Sequence, residues 1–77
     1  MMNNRSTLEI LVFATNIHST EQINRVLEKL LIHPGIKQAN FDLEDIDKIL
    51  RVVSCGITEK EVEEILQTLN IQCLALV

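Results

Sequence analysis

A chain of 77 residues with 47% hydrophobic content holds one domain around one core. Eleven acidic side chains against seven basic ones leave a net charge of −4, which repels phosphate backbones and argues against nucleic acid as a partner. No run approaches the ~18 apolar residues that span a bilayer. The opening MMNNRST lacks the apolar region of a signal peptide, so a cytoplasmic protein is expected.

In chain order, residues 1–6 read as a loose tail and 7–77 as a single domain. Leu8 to Thr15 (LEILVFAT) is β-branched, aromatic and leucine-rich, and its length suits a first strand. Asn16 to Gln22 (NIHSTEQ) then leads into a helix. From Thr20 to His33 the residues Ile23, Val26, Leu27, Leu30 and Leu31 recur at helical spacing on one face. Pro34 and Gly35 stop this helix, because proline cannot continue the ladder and glycine accepts left-handed geometry. Ile36 to Leu43 alternates, with Ala39, Phe41 and Leu43 against Gln38, Asn40 and Asp42, which predicts a second strand with one wet face.

A polar turn at Glu44 to Asp47 precedes a third strand, Ile49–Val53. Thr58 and Glu61 have capping-box spacing, and Ile57 is placed to staple onto Val62. The second helix carries a buried stripe of Val62, Ile65, Leu66 and Leu69, and IQCLALV forms the last strand. The order β-α-β-β-α-β with short connections predicts a ferredoxin-like α+β fold. Its four-stranded antiparallel sheet runs 4-1-3-2, with both helices on one face.

The first strand, the NIHSTEQ loop, the helix ending at IHPGI and the strand ending FDLE together resemble the heavy-metal-associated (HMA) domains of copper chaperones and metal-pumping ATPases. That family reads GMTCxxC after its first strand, then LPGV, then a strand close to VDLE. The resemblance spans Leu8 to Leu76. Aligned on Pro34-Gly35, the family's two metal-binding cysteines fall on Ser19 and Gln22, its Met on Ile17, its Thr on His18, and its Gly on Asn16. Soft ions such as Cu(I) select thiolates. A protonated hydroxyl and an amide do not replace them, so the resemblance implies a degenerate metal loop and no metal or cofactor is expected.

Ser19 and Gln22 instead have the spacing of a capping box, so NIHSTEQ reads mainly as a helix start. Ser19 is expected to accept from the Gln22 N–H, and Gln22 to return to the Ser19 N–H. His18 offers one imidazole beside a helix N-terminus that favours anions. A single imidazole falls short of the four ligands of a structural zinc site. His33, at the other end of the helix, reads as structural. The acidic turn (Asp42, Glu44, Asp45, Asp47) lacks the ligand order of a calcium loop and reads as solvated.

Cys55 and Cys73 fall at opposite ends of strands separated by about 10 Å, beyond disulfide reach, so both are expected to stay reduced. Cys73 reads as a small core residue and Cys55 as more exposed. Enzyme activity is not expected, because no nucleophile has a base at plausible spacing and only two glycines are present. RNA binding of the ferredoxin-like kind fails for want of stacking aromatics.

Alternation along the strands assigns the two faces of the sheet. Leu8, Ile10, Val12 and Ala14 are expected to face the helices, together with Leu50, Val52, Ile71, Cys73 and Ala75. The open face would then carry Leu11, Phe13, Ile49, Val53, Leu74 and Leu76. Such an apolar patch marks an interface, for a homodimer or a docking protein. Two functions follow: an interaction module acting through this face, or residual metal or anion binding at the His18 loop with Asn70 nearby. The sequence favours the first.

Overall fold

The computed structural model describes residues 8–76. The tail at 1–6 lies outside the described residues. The elements are β1 (Glu9–Thr15), α1 (Thr20–Leu31), β2 (Ile36–Asp42), β3 (Ile49–Ser54), α2 (Glu59–Gln67) and β4 (Cys73–Leu76). They form one antiparallel sheet in the order β2-β3-β1-β4, the ferredoxin-like arrangement that the element order predicts.

The helix ends follow local chemistry. Thr58 and Glu61 complete the expected capping box at α2. Flanking Ile57 and Val62 are both buried, as a hydrophobic staple requires. Gly56 turns the chain into this cap at φ +93°, where a side chain would be strained. Just before it, the buried Ser54 hydroxyl donates to the Ile57 carbonyl at 2.8 Å and accepts the Ile57 N–H at 3.0 Å. That pair satisfies the backbone of a sharp strand-to-helix turn. α1 ends two residues before the expected His33, whose Nδ1 accepts the Gly35 N–H at 3.1 Å. This bond gives His33 a structural part in the turn that follows α1.

The core lies between the helices and one sheet face. Val26 and Leu30 of α1 and Val62 and Leu66 of α2 meet Leu50 and Val52 of β3. Ala39 and Phe41 of β2 and Cys73 and Ala75 of β4 pack at its margin, on the side the alternation assigns them. Leu31, read as part of the α1 stripe, is instead exposed.

β1 is reversed relative to the sequence expectation. Phe13 is 0% exposed and Leu11 9%, whereas Ile10 is 67% exposed and Leu8 57%. Pairing explains the phase, because directly opposed residues share a face. Leu11 sits opposite Val52, and Phe13 opposite both Leu50 and Ala75, all inward residues. Nearly every position of LEILVFAT is apolar, so alternation within the strand carries no phase, and the bulkiest side chain takes the core. Leu11 and Phe13 therefore do not belong to the open face.

Ile49 needs a correction of another kind. Its register opposite Asp42 puts it on the outward side, one step from the inward Phe41–Leu50 pair, yet it is only 6% exposed. It adds little to an accessible patch.

Candidate functional site

The segment from Asn16 to Ser19 joins β1 to α1 at the end of the sheet shared with the β2–β3 turn and the α2–β4 turn. Thr15, the last residue of β1, binds the first of these turns. Its N–H donates to the Asp47 carbonyl at 3.0 Å and its hydroxyl to the Lys48 carbonyl at 2.7 Å. Asn16 binds the second turn. Its N–H donates to the Gln72 carbonyl at 3.3 Å, and its Oδ1 accepts the Gln72 N–H at 3.0 Å. Two consecutive residues thus stitch three loops together. Ile17 follows as a buried plug, 3% exposed, in the apolar role the resemblance implies.

Ser19 caps α1 as expected. Its backbone is extended (φ −146°, ψ 152°), and its Oγ accepts the Gln22 N–H at 3.2 Å. The return bond differs from the expected box. Gln22 Oε1 accepts the N–H of His18 at 2.9 Å, one residue before the cap. At α2 the equivalent Glu61 reaches the N–H of the cap residue itself, where Thr58 has φ −96°. The more extended Ser19 accompanies the shift. Either way two N–H groups at the helix start gain acceptors.

These bonds decide the coordination chemistry of the loop. The two positions where the resemblance puts metal-binding cysteines hold a hydroxyl and an amide, both occupied in helix capping. His18 is exposed. Among the described residues, no three His, Cys, Asp or Glu side chains converge as a cage for a metal ion. The donor set present does not fit Cu(I), which needs thiolate sulfur.

The acidic side chains of the neighbouring turn are also committed locally. Asp42 Oδ1 accepts the Glu44 N–H at 3.2 Å, and Asp45 Oδ1 accepts the Asp47 N–H at 2.9 Å. Lys48 closes the turn at φ +48°, donating its N–H to the Asp45 carbonyl. Asp42 also approaches Arg51 at 3.8 Å across the β2–β3 pair.

Both cysteines are free and half-buried. The Cys73 thiol is pushed up from its ordinary 9.0 to about 11, chiefly by burial and further by the nearby Glu63 carboxylate.

The second candidate surface is the open sheet face. Three of its six expected residues stay accessible on it: Val53, half-buried, with Leu74 and Leu76, both exposed. β1 contributes Ile10, Val12 and Ala14 in place of Leu11 and Phe13. Ile10 lies opposite Val53, Val12 opposite Leu76 and Ala14 opposite Leu74, so these side chains form one stripe across three strands. Arg51, opposite Val12 and Asn40, bounds it on the β2 side. The stitching by Thr15 and Asn16 and the Ser54 clamp were not legible in the sequence, since each depends on which loops the fold brings together.

No family model and no curated protein sequence matches this chain. Solved structures do. The apo HMA domain of a copper chaperone for superoxide dismutase superposes with a TM-score of 0.80 at 22% identity, over 100% of this chain and 76% of that one. The yeast copper transporter domain Ccc2a, solved in apo and Cu(I)-loaded states, gives 0.78 at 16% identity, over 88% of this chain and 94% of that one. This chain therefore has the fold of the copper-handling HMA domains, with Ser19 and Gln22 at the positions that the sequence resemblance assigns to their metal-binding cysteines.

Proposed function

We propose that this protein is a metal-free HMA-like domain that acts as an interaction module, pairing with a second copy through its open sheet face. The observation that carries this reading is the stripe of Ile10, Val12, Val53, Leu74 and Leu76, uncovered by the protein's own helices. A sheet face left to water in a monomer is ordinarily polar. The one charge that sits beside it, Arg51 opposite Val12, already faces Asp42 at 3.8 Å, so two copies can close over the stripe around a two-fold axis with that ion paired. Each Ile or Leu so buried contributes about 1.5–3 kcal/mol. Several from each copy match the roughly 4–15 kcal/mol that association costs.

The capping role of Ser19 and Gln22 supports the metal-free half of the reading. Titration with Cu(I) and Zn²⁺, followed through the His18 imidazole by NMR, tests that half. Submicromolar binding with His18 shifts would replace it with metal handling at the loop. Sedimentation from micromolar to several hundred micromolar protein tests the dimer, which a persistent monomer would refute.

A further inference from the structure

β4 lies at the edge of the sheet, and its outer side differs in kind from the other edge. The β2 edge is disrupted by a register shift between Ile36 and Gln38, which leaves Lys37 as an extra residue. A bulge and a lysine are two of the devices by which proteins block strand addition. β4 (CLAL) has no charge, no proline and no bulge.

Its outward-facing hydrogen-bonding groups, unpaired among the described residues, can be identified. The Asn16 N–H donates to the Gln72 carbonyl, and opposed antiparallel pairs alternate between bonded and non-bonded. Gln72, Leu74 and Leu76 therefore turn their backbone groups toward β1, whereas Cys73 and Ala75 turn theirs outward. A cleft of about 850 Å³ opens along this edge, lined by Thr15, Asn16, Glu63, Gln67, Asn70 and Cys73 among others. Glu59, Glu63 and Gln67 recur every four residues along α2, so they form one row on that helix. Glu63 and Gln67 of this row both line the cleft, and Glu63 is close enough to Cys73 to disfavour the thiolate.

We propose that the β4 edge accepts an extended segment of another protein as a fifth strand, and that this segment alternates basic and apolar residues. Residues directly opposite Cys73 and Ala75 would donate and accept the free backbone bonds. Their side chains would share the helix side of the sheet, beside Glu63, and a lysine or arginine there is complementary to the carboxylate. The intervening residues would lie beside Leu74 and Leu76 on the open face, where apolar side chains fit. Main-chain pairing supplies affinity and this alternation supplies choice of partner, the general logic of strand addition.

The inference stands apart from face-to-face dimerisation, and two substitutions separate them. Ile10→Glu interrupts the face and leaves the β4 edge intact. Ala75→Pro removes an outward N–H without touching the β1 ladder, a position where an edge strand tolerates proline. The probe is a synthetic Lys–Val alternating peptide, N-methylated at each valine so that only the lysine amides can pair and the peptide cannot form fibrils. Its Glu–Val counterpart is the control.

NMR titration of the full chain should shift the Cys73 and Ala75 amides and slow their exchange, with about tenfold preference for the lysine peptide at low salt. Ala75→Pro should abolish binding, Ile10→Glu should retain it, and Glu63→Lys should reverse the preference. If Ala75→Pro unfolds, a lysine peptide methylated at its lysines replaces it, and this peptide must not bind. Absence of shifts at Cys73 and Ala75 with millimolar peptide, or binding that survives loss of these donors, would overturn the proposal.

Discussion

The side-chain carbonyl of Gln22 accepts the backbone N–H of His18 at 2.9 Å, while the Gln22 N–H donates to Ser19 Oγ at 3.2 Å. Gln22 is thus held at both ends by the segment that precedes its helix. Ser19→Ala is expected to cost about 0.5–2 kcal/mol, the usual range for a lost cap. Gln22→Ala should cost less, because the freed His18 N–H is exposed and can bond to water. Urea denaturation of both variants measures the difference. Equal stability of Ser19→Ala and the native protein would remove the capping argument.

The same placement makes a chemical prediction. The double variant Ser19→Cys/Gln22→Cys should acquire Cu(I) affinity, since two thiolates from one loop are what a soft ion selects. The Ile17 plug and the Asn16 bonds lie outside the substitution and should keep the loop in place. Competition against a colorimetric Cu(I) chelator gives the readout. A double variant that stays folded and takes no copper would show that the family motif has been aligned on the wrong residues.

β1 supplies a paired prediction on fold and assembly. Phe13→Glu should unfold the chain, because it buries a charge with no partner among Leu50, Ala75 and their neighbours. Even Phe13→Ala should cost about 3–5 kcal/mol through the cavity it leaves. Ile10→Glu, on the exposed side, should stay folded by circular dichroism and shift the proposed dimer to monomer by sedimentation. If Ile10→Glu remains a dimer, the sheet stripe is not the contact.

Asn16 and Gln72 are 56 positions apart in sequence and share two hydrogen bonds. Asn16→Ala removes the one made by the side chain, for an expected loss of about 0.5–1.5 kcal/mol. The diagnostic is local, since the Gln72 amide should lose hydrogen-exchange protection while the Phe13 and Leu50 amides keep theirs. Unchanged exchange at Gln72 would mean that the turn is held by something else.

Cys73 gives a pH dependence with a definite sign. Its thiol titrates at about 11 in the folded chain against an ordinary 9.0. Between these values the unfolded chain has released a proton that the folded chain retains. The stabilising contribution is therefore complete below the ordinary thiol value, and it is lost as pH rises through the folded one. Alkylation of native Cys73 should accordingly be slow at pH 8 and accelerate up to about pH 11. Glu63→Gln should lower this midpoint only modestly, because burial is the larger cause. Fast alkylation of native Cys73 at pH 8 would contradict the burial argument.

The sequence alone determined the elements and their order in the sheet. Helical spacing at Val26 and Leu30, the Thr58–Glu61 box and the Pro34-Gly35 stop are local signals, each readable within a few residues because its physics acts over one or two turns. The chemistry of the Ser19 and Gln22 positions was legible for the same reason, since residue type by itself decides that no thiolate is present.

The facing of β1 was not legible. LEILVFAT is apolar on both sides, so its phase followed from cross-strand partners that only folding supplies: Val52 opposite Leu11, and Leu50 and Ala75 opposite Phe13. The target of Gln22, the Asn16–Gln72 clasp and the outward amides of Cys73 and Ala75 also lay beyond the sequence. Each depends on the direction in which a group points once distant segments are set side by side. Local sequence fixes the torsional preferences of a segment, whereas its partners are fixed by packing across the whole chain.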